Sequence, residues 1–221
     1  QGVSIWLPGH DDPFREAGAW DIRDGAPIAL CEDYFQRVRG DAIDANNNYM
    51  APFFERMAGV VRSVRSDWLL FAEVDPFEML SGHGFPERTP ERTVNASHWY
   101  DLSALVTKSF STDRRVNVLN GEVSEGVAAI EAIYVNEMSR IAEIAAGLND
   151  GKGAPTLLGE CGIQFDMNGA QAYARWQGGK RGADIWDAQT SALALMYNAI
   201  DYLLLSSAQW NYTVSNRNDP M

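Results

Sequence analysis

The sequence predicts an α/β protein built from parallel βα units, a portion of a (β/α)8 TIM barrel. Three observations carry this. Short apolar runs of strand length alternate with longer segments of helical period. Each run stops at polar or aromatic residues: Glu73, His98 with Tyr100, Glu160, and Trp210 with Tyr212. No glycine-rich phosphate loop follows the first run, as an open doubly wound sheet would require. In a barrel, such strand ends meet over one mouth. A full barrel needs eight strands in about 250 residues, so four strands in 221 residues predict a C-terminal portion of a larger enzyme.

Residues 1–45 read as a long, irregular rim loop, because Pro8, Gly9, Pro13, Gly18, Gly25 and Pro27 break any period. Trp6, Trp20, Tyr34 and Phe35 favour an ordered loop. Residues 46–221 carry the βα units, so that 1–221 read as one domain. From Asn46 to Arg65 the residues Tyr49, Met50, Phe53, Phe54, Met57, Val60, Val61 and Val64 repeat at helical spacing. Trp68 to Ala72 is a buried strand ending at Glu73, and 74–92 is a loop. Thr93 to His98 is a second strand, followed by a long loop over 102–122.

The strongest helix spans Ser124 to Gly147, with Ser124 as its cap and an apolar stripe through Ile130, Tyr134, Met138 and Ile141. Thr156 to Glu160 is a third strand, and 166–186 a loop. Asp187 to Leu205 is a helix that buries Ala192, Leu195, Met196, Ala199 and Ile200. Ser207 to Thr213 is the last strand.

A net charge of −12 argues against nucleic acid or an anionic membrane as partner. No run of about 18 apolar residues exists to span a bilayer. The chain opens on Gln1 rather than Met, and the sequence predicts that an upstream part is missing. Cys31 and Cys161, far apart, form neither a disulfide framework nor a zinc spacing. Cys161 points away from Glu160 on an extended backbone, as a buried structural thiol would. The sequons Asn95-Ala96-Ser97 and Asn211-Tyr212-Thr213 leave the compartment open.

Retaining glycosidases need two carboxyl groups, one ionised as nucleophile and one protonated as acid. Glu160 suits the first role, with His98 and Tyr100 as hydrogen-bond donors near it. Trp210 suits the apolar face of a pyranose. The reaction needs no cofactor. A metal-dependent hydrolase using Glu73, His98 and Glu160 is the less favoured reading, since no pair among His10, His83 and His98 has ligand spacing.

Several stretches resemble glycoside hydrolase family 5, a family of retaining β-glycosidases. They are His98-Trp99-Tyr100-Asp101, Gly159-Glu160-Cys161-Gly162-Ile163, Phe165-Asp166-Met167 and Trp210-Asn211-Tyr212-Thr213, with Asn216 and Asn218-Asp219 after them. They look most like its endoglycoceramidase-related branch, which includes β-glucosylceramidases and steryl β-glucosidases. Gly18-Ala19-Trp20-Asp21 and Asp33-Tyr34-Phe35 are similar to that branch's insertion after the fourth strand.

The resemblance implies the C-terminal half of the barrel, about strands 5–8, with a β-glucoside or glycolipid as substrate and the N-terminal half as the missing partner. It implies Glu160 as nucleophile, His98 and Tyr100 around the reacting sugar, and Trp210 as platform. The family's acid is the Glu of an Asn-Glu-Pro, which this sequence lacks. Glu73-Val74-Asp75-Pro76 looks superficially like it, but lies one strand before His-x-Tyr. Glu73 is therefore expected at the rim of strand five, with the acid role as the alternative. A non-catalytic carbohydrate- or lipid-binding remnant is the competing reading.

Overall fold

The computed structural model describes residues 5–7, 9–75, 84–117 and 120–213. It divides into two compact units, 1–50 and 51–221. Residues 76–83 of the 74–92 loop, and Asn216, Asn218 and Asp219, lie outside the described residues.

The first unit is more regular than the loop expected over 1–45. Asp12 caps a short helix, Pro13–Glu16, by accepting from the backbone N–H groups of Phe14 and Arg15. Strands β1 (Trp20–Arg23) and β2 (Ala26–Ala29) pair antiparallel across Asp24-Gly25. Both turn residues have positive φ, 52° and 78°, as a two-residue primed turn requires. Arg39 and Gly40, at 53° and 90°, repeat that device between β3 (Arg37–Val38) and β4 (Asp41–Ala42). A π-turn spans Asn46–Met50.

The second unit opens with helix Ala51–Val64. Only Phe54 and Ala58 of it are buried; Phe53, Met57, Val60 and Val64 are exposed. The expected stripe is thus present but largely uncovered within this unit. Strand β5 (Leu70–Ala72) follows and pairs parallel with β6 (Thr93–Asn95). The strand expected over 93–98 is broken at Ala96–His98 and resumes as β7 (Trp99–Tyr100). Asn95 causes part of this: its Oδ1 accepts from both the N–H and the Oγ of Ser97, a local turn that competes with the ladder. Asn95 is fully buried and its Nδ2 donates to the Ile141 carbonyl at 2.8 Å. The first sequon is therefore a structural asparagine, not a glycan acceptor in this fold.

The 102–122 stretch holds more structure than a loop. Asp101 caps helix Leu102–Thr107, accepting from Ser103 N and Ala104 N. An antiparallel hairpin follows, β8 (Arg114–Val116) with β9 (Val123–Glu125). That hairpin takes Ser124, the expected cap, so helix Val127–Ile144 starts after Gly126 instead. The helix buries Ile130, Tyr134, Met138 and Ile141 as the stripe predicts. Strand β10 (Leu157–Gly162) comes next. The 166–186 stretch contains helix Met167–Gln177, whose first turn is left-handed at Asn168, Gly169 and Ala170. Helix Asp187–Tyr202 and strand β11 (Ser206–Gln209) complete the described chain, and β11 stops before Trp210.

Strand β10 pairs parallel with β7 on one side and β11 on the other. Asn95 bridges parallel to Thr156, which links the β5–β6 pair to the same array. The parallel strands therefore neighbour one another in chain order, and among the described residues they do not close into a ring. One core backs them: Ile130, Tyr134, Met138 and Ile141 meet Leu195, Met196, Ala199 and Ile200 over Trp99, Leu158 and Cys161.

Candidate active site

Glu160 owes its position to a break in the β10 ladder. Leu158 pairs with Ser207, and Cys161 with Gln209, so three steps on β10 face two on β11. The extra residue is a β-bulge, which re-aims the side chains around it. Leu158 and Cys161 both point into the core, each fully buried, while Glu160 between them projects away with its side chain 32% exposed. Cys161 is the buried thiol expected, and burial pushes its pKa up.

The glycine before Glu160 is demanded by packing. A Cβ at Gly159 would fall inside contact distance of the Ala96 carbonyl oxygen, and Gly159 N–H donates to Ser97 O at 3.2 Å. Gly162 is constrained likewise: a Cβ there would meet the Trp210 carbonyl oxygen at 2.5 Å. The two strands can approach this closely only without side chains.

Four of the five expected residues converge. The Tyr100 hydroxyl donates to Glu160 Oε2 at 2.9 Å. His98 stands between the two carboxylates, with Nε2 2.8 Å from Glu73 Oε2 and Nδ1 3.5 Å from Glu160 Oε2. Burial first, and then the bond to Glu160, raise the Tyr100 pKa well above the ordinary tyrosine value. The phenol is therefore a fixed donor to the carboxylate at neutral pH. Trp210 is not part of this hydrogen-bonded group. Its backbone N–H donates to Cys161 O at 2.8 Å, and the residue is 57% exposed at the end of β11.

Behind β7 lies a second cluster that the strand-end pattern did not reveal. Trp99 Nε1 donates to Glu137 Oε2 at 3.1 Å. Arg115 bridges Asp101 and Glu137, each at 3.1 Å, with its own side chain 6% exposed. Tyr134 donates to Asp101 Oδ2 at 2.5 Å. Burial pushes the Glu137 carboxyl up, and Arg115 opposes that shift. The readable signal was alternation: His98 and Tyr100 face one side of the strand, Trp99 and Asp101 the other. Its partners Arg115 and Glu137 are distant in sequence and carried no local signature. Among the described residues no group of His, Cys, Asp and Glu is arranged to hold a metal ion, and no helix is long and apolar enough to cross a membrane.

No family model matches the chain. A glucosylceramidase of Cryptococcus neoformans var. grubii is 28% identical to it over 234 residues, covering 99% of this chain and 30% of that protein. A glucosylceramidase of Rhizopus delemar is 25% identical, covering 97% and 31%. The ergosteryl-β-glucosidase of Saccharomyces cerevisiae is 26% identical, covering 90% and 26%. The chain thus spans about a third or less of the length of these relatives. Their names place them among glucosidases of lipid glucosides. Among solved structures, Cryptococcus neoformans sterylglucosidase 1 matches with a TM-score of 0.72 at 23% identity, over 93% of this chain and 29% of that one. That likeness is one of fold: a mixed α/β arrangement shared over nearly the whole chain.

Proposed function

We propose that the full-length protein containing this chain is a retaining β-glycosidase for β-glucosides with a lipid aglycone, and that Glu160 is its nucleophile. The observation that carries this reading is the Tyr100–Glu160 hydrogen bond at a bulged strand end. A carboxylate that accepts from a fixed phenol is held in one rotamer and one direction, as nucleophilic attack requires. Glu160 then attacks the anomeric carbon, the aglycone oxygen leaves with a proton from the acid, and water hydrolyses the glycosyl ester. The names of the relatives support a sterol or sphingolipid glucoside. Trp210, exposed beside Gly162, is the proposed sugar platform, and residues 1–221 belong to one catalytic domain.

The parallel strand order supports the C-terminal half of a (β/α)8 barrel. Its open edges, β5 and β11, carry exposed apolar residues: Leu69 and Phe71 at one, Leu204 at the other. Such edges need cover, and the proposed cover is the N-terminal half of the barrel. That half is also the proposed source of the acid. Glu73 suits the acid role poorly, because His98 fills the space between it and Glu160. In a retaining enzyme the sugar must fit between the two carboxyl groups. The lack of an Asn-Glu-Pro in this sequence favours one second reading, a binding protein without turnover.

The deciding experiment uses the full-length protein with 2,4-dinitrophenyl β-glucoside and an alkyl β-glucoside. Glu160→Ala should abolish turnover of both. Glu73→Gln should leave the dinitrophenyl rate intact and cost less than about 10²-fold on the alkyl glucoside, the lower bound for a lost general acid. Residual rates in Glu160→Ala equal to the parent's would overturn the nucleophile assignment. Binding without turnover in the parent would establish the second reading.

A further inference from the structure

We propose that Glu137 is a positioning residue for the candidate active site: it fixes strand β7 through Trp99 and so aims the Tyr100 phenol at Glu160. The effect on turnover rests on the glycosidase reading; the effect on Tyr100 does not. Glu137 lies behind β7, on the face opposite Glu160. Its carboxylate bonds to Trp99 and Arg115 rather than to a residue of the site.

The backbone alone holds Tyr100 weakly. Strand β7 is two residues long, and among the described residues it pairs on one side only, Trp99 with Cys161 and Tyr100 with Gly162. Just upstream the strand is broken at Ala96–His98. A ladder this short resists rotation about the strand axis poorly. The Tyr100 ring borders Gly162, a residue with no side chain to brace it.

The bracing comes from the neighbours on either side. Side chains alternate along a strand, so Trp99 and Asp101 point away from the site while Tyr100 points into it. Helix Val127–Ile144 grips both. Glu137 Oε2 accepts from Trp99 Nε1 at 3.1 Å, and its Oε1 accepts from Arg115 at 3.1 Å. One turn earlier, Tyr134 donates to Asp101 and meets the Trp99 ring edge-on, with centroids 4.7 Å apart. Arg115 joins the two grips by pairing with Asp101 as well. Trp99 and Asp101 are both buried, so water competes little for these bonds. Two fixed points flanking Tyr100 thus set the roll of the strand. The phenol oxygen sits at the far end of its side chain, where a small roll moves it most. Its bond to Glu160 is 2.9 Å, and a displacement of about 1 Å breaks it. Of the two grips, Glu137 is the one that can be released without disturbing the helix cap that Asp101 provides.

The test is a double-mutant cycle in the full-length protein: the parent, Glu137→Gln, Tyr100→Phe and the pair, assayed with 2,4-dinitrophenyl β-glucoside where circular dichroism shows each to be folded. Glu137→Gln keeps the shape of the side chain and weakens both its bonds. It should lower kcat/KM about 5-fold or more, but by less than Tyr100→Phe does, because the aim of the nucleophile is loosened rather than lost. In the Tyr100→Phe background the same change should cost less than about 2-fold, since the residue it acts through is gone. A general loss of active protein would instead multiply equally into both backgrounds. Equal factors in the two backgrounds, or a kcat/KM in Glu137→Gln within about 2-fold of the parent's, would overturn the positioning role and leave the glycosidase reading intact. If Glu137→Gln does not fold, Trp99→Phe takes its place in the cycle; it removes the Nε1 donor and leaves the Glu137–Arg115 pair. Isotope-labelled tyrosine, observed at Cζ by NMR, gives a readout without turnover, the Tyr100 resonance being the one lost in Tyr100→Phe. In a parent that cleaves no glucoside, which removes the glycosidase reading, that resonance decides. If Glu137→Gln moves it, the positioning role stands; if it stays in place, the role fails.

Discussion

The two sides of strand β7 are built from the same kinds of side chain and are held in opposite ways. On one side, His98, Tyr100 and the facing Glu160 and Glu73 are partly open to solvent, and one hydrogen bond and two ion contacts connect them. On the other, Trp99 and Asp101 join Tyr134, Arg115 and Glu137 in a nearly dry network in which both carboxylates have partners. A buried carboxylate without a partner is costly, so on the hidden side each of the two carboxylates is paired. The open side tolerates incomplete pairing, and incomplete pairing is what leaves a carboxylate available to a substrate. Adjacent residues thus separate holding from reacting by the period-two geometry of a strand.

Breaking the hidden side should produce the largest stability effect. Arg115→Met leaves Asp101 and Glu137 buried with no cation between them. Loss of about 3–5 kcal/mol is expected, read as a lowered urea midpoint. A loss below about 1 kcal/mol would mean that the network is hydrated and the contrast with the open side is false. Gly159→Ala strikes the junction of the two sides, since its Cβ has no room beside the Ala96 carbonyl. Displacing backbone in a packed sheet should cost about 1–3 kcal/mol, measured the same way, and should also turn Glu160 and lower turnover.

Tyr100→Phe is the opposite probe. It removes the donor to Glu160 without opening a cavity, so a stability change within about 1 kcal/mol is expected. In the full-length protein, turnover of a dinitrophenyl glucoside should fall about 10- to 100-fold, because Glu160 loses the partner that fixes its direction. An unchanged rate would show that the bond does not position Glu160 for attack.

The sequence showed the open side better than the hidden one, for physical reasons. Glu73, His98, Tyr100 and Glu160 end short apolar runs, and that local pattern located all four. The buried faces of helices Val127–Ile144 and Asp187–Tyr202 were equally plain from helical spacing. The bulge at Gly159–Glu160 was invisible, because it exists only as a mismatch with β11. The Asp24-Gly25 turn was a local hairpin signal within a stretch whose prolines and glycines read as loop. Asp101, whose cap starts helix Leu102–Thr107, was hidden by its neighbour Tyr100. Arg115 and Glu137 could not be read at all, because their meaning lies in pairing across 22 residues.

The smallest expected effect sharpens the contrast by pH. Tyr134 is buried against Asp101, and burial first, then the carboxylate's charge and hydrogen bond, raise its pKa above the ordinary value. In the unfolded chain the same phenol ionises near pH 10. The folded state therefore holds its proton more tightly, and the stability this confers is fully present below about pH 10. As pH rises beyond that value the unfolded state loses the proton first. Stability should then decline, by at most about 1.4 kcal/mol per pH unit for this one group. Tyr100, raised for the same leading reason, should add to the decline. Urea midpoints between pH 9 and 11 in Tyr134→Phe and Tyr100→Phe (each compared with the parent) separate the two sides. A shallower decline in Tyr134→Phe alone would place the alkaline sensitivity in the hidden network. A shallower decline in Tyr100→Phe alone would place it at the open carboxylate instead.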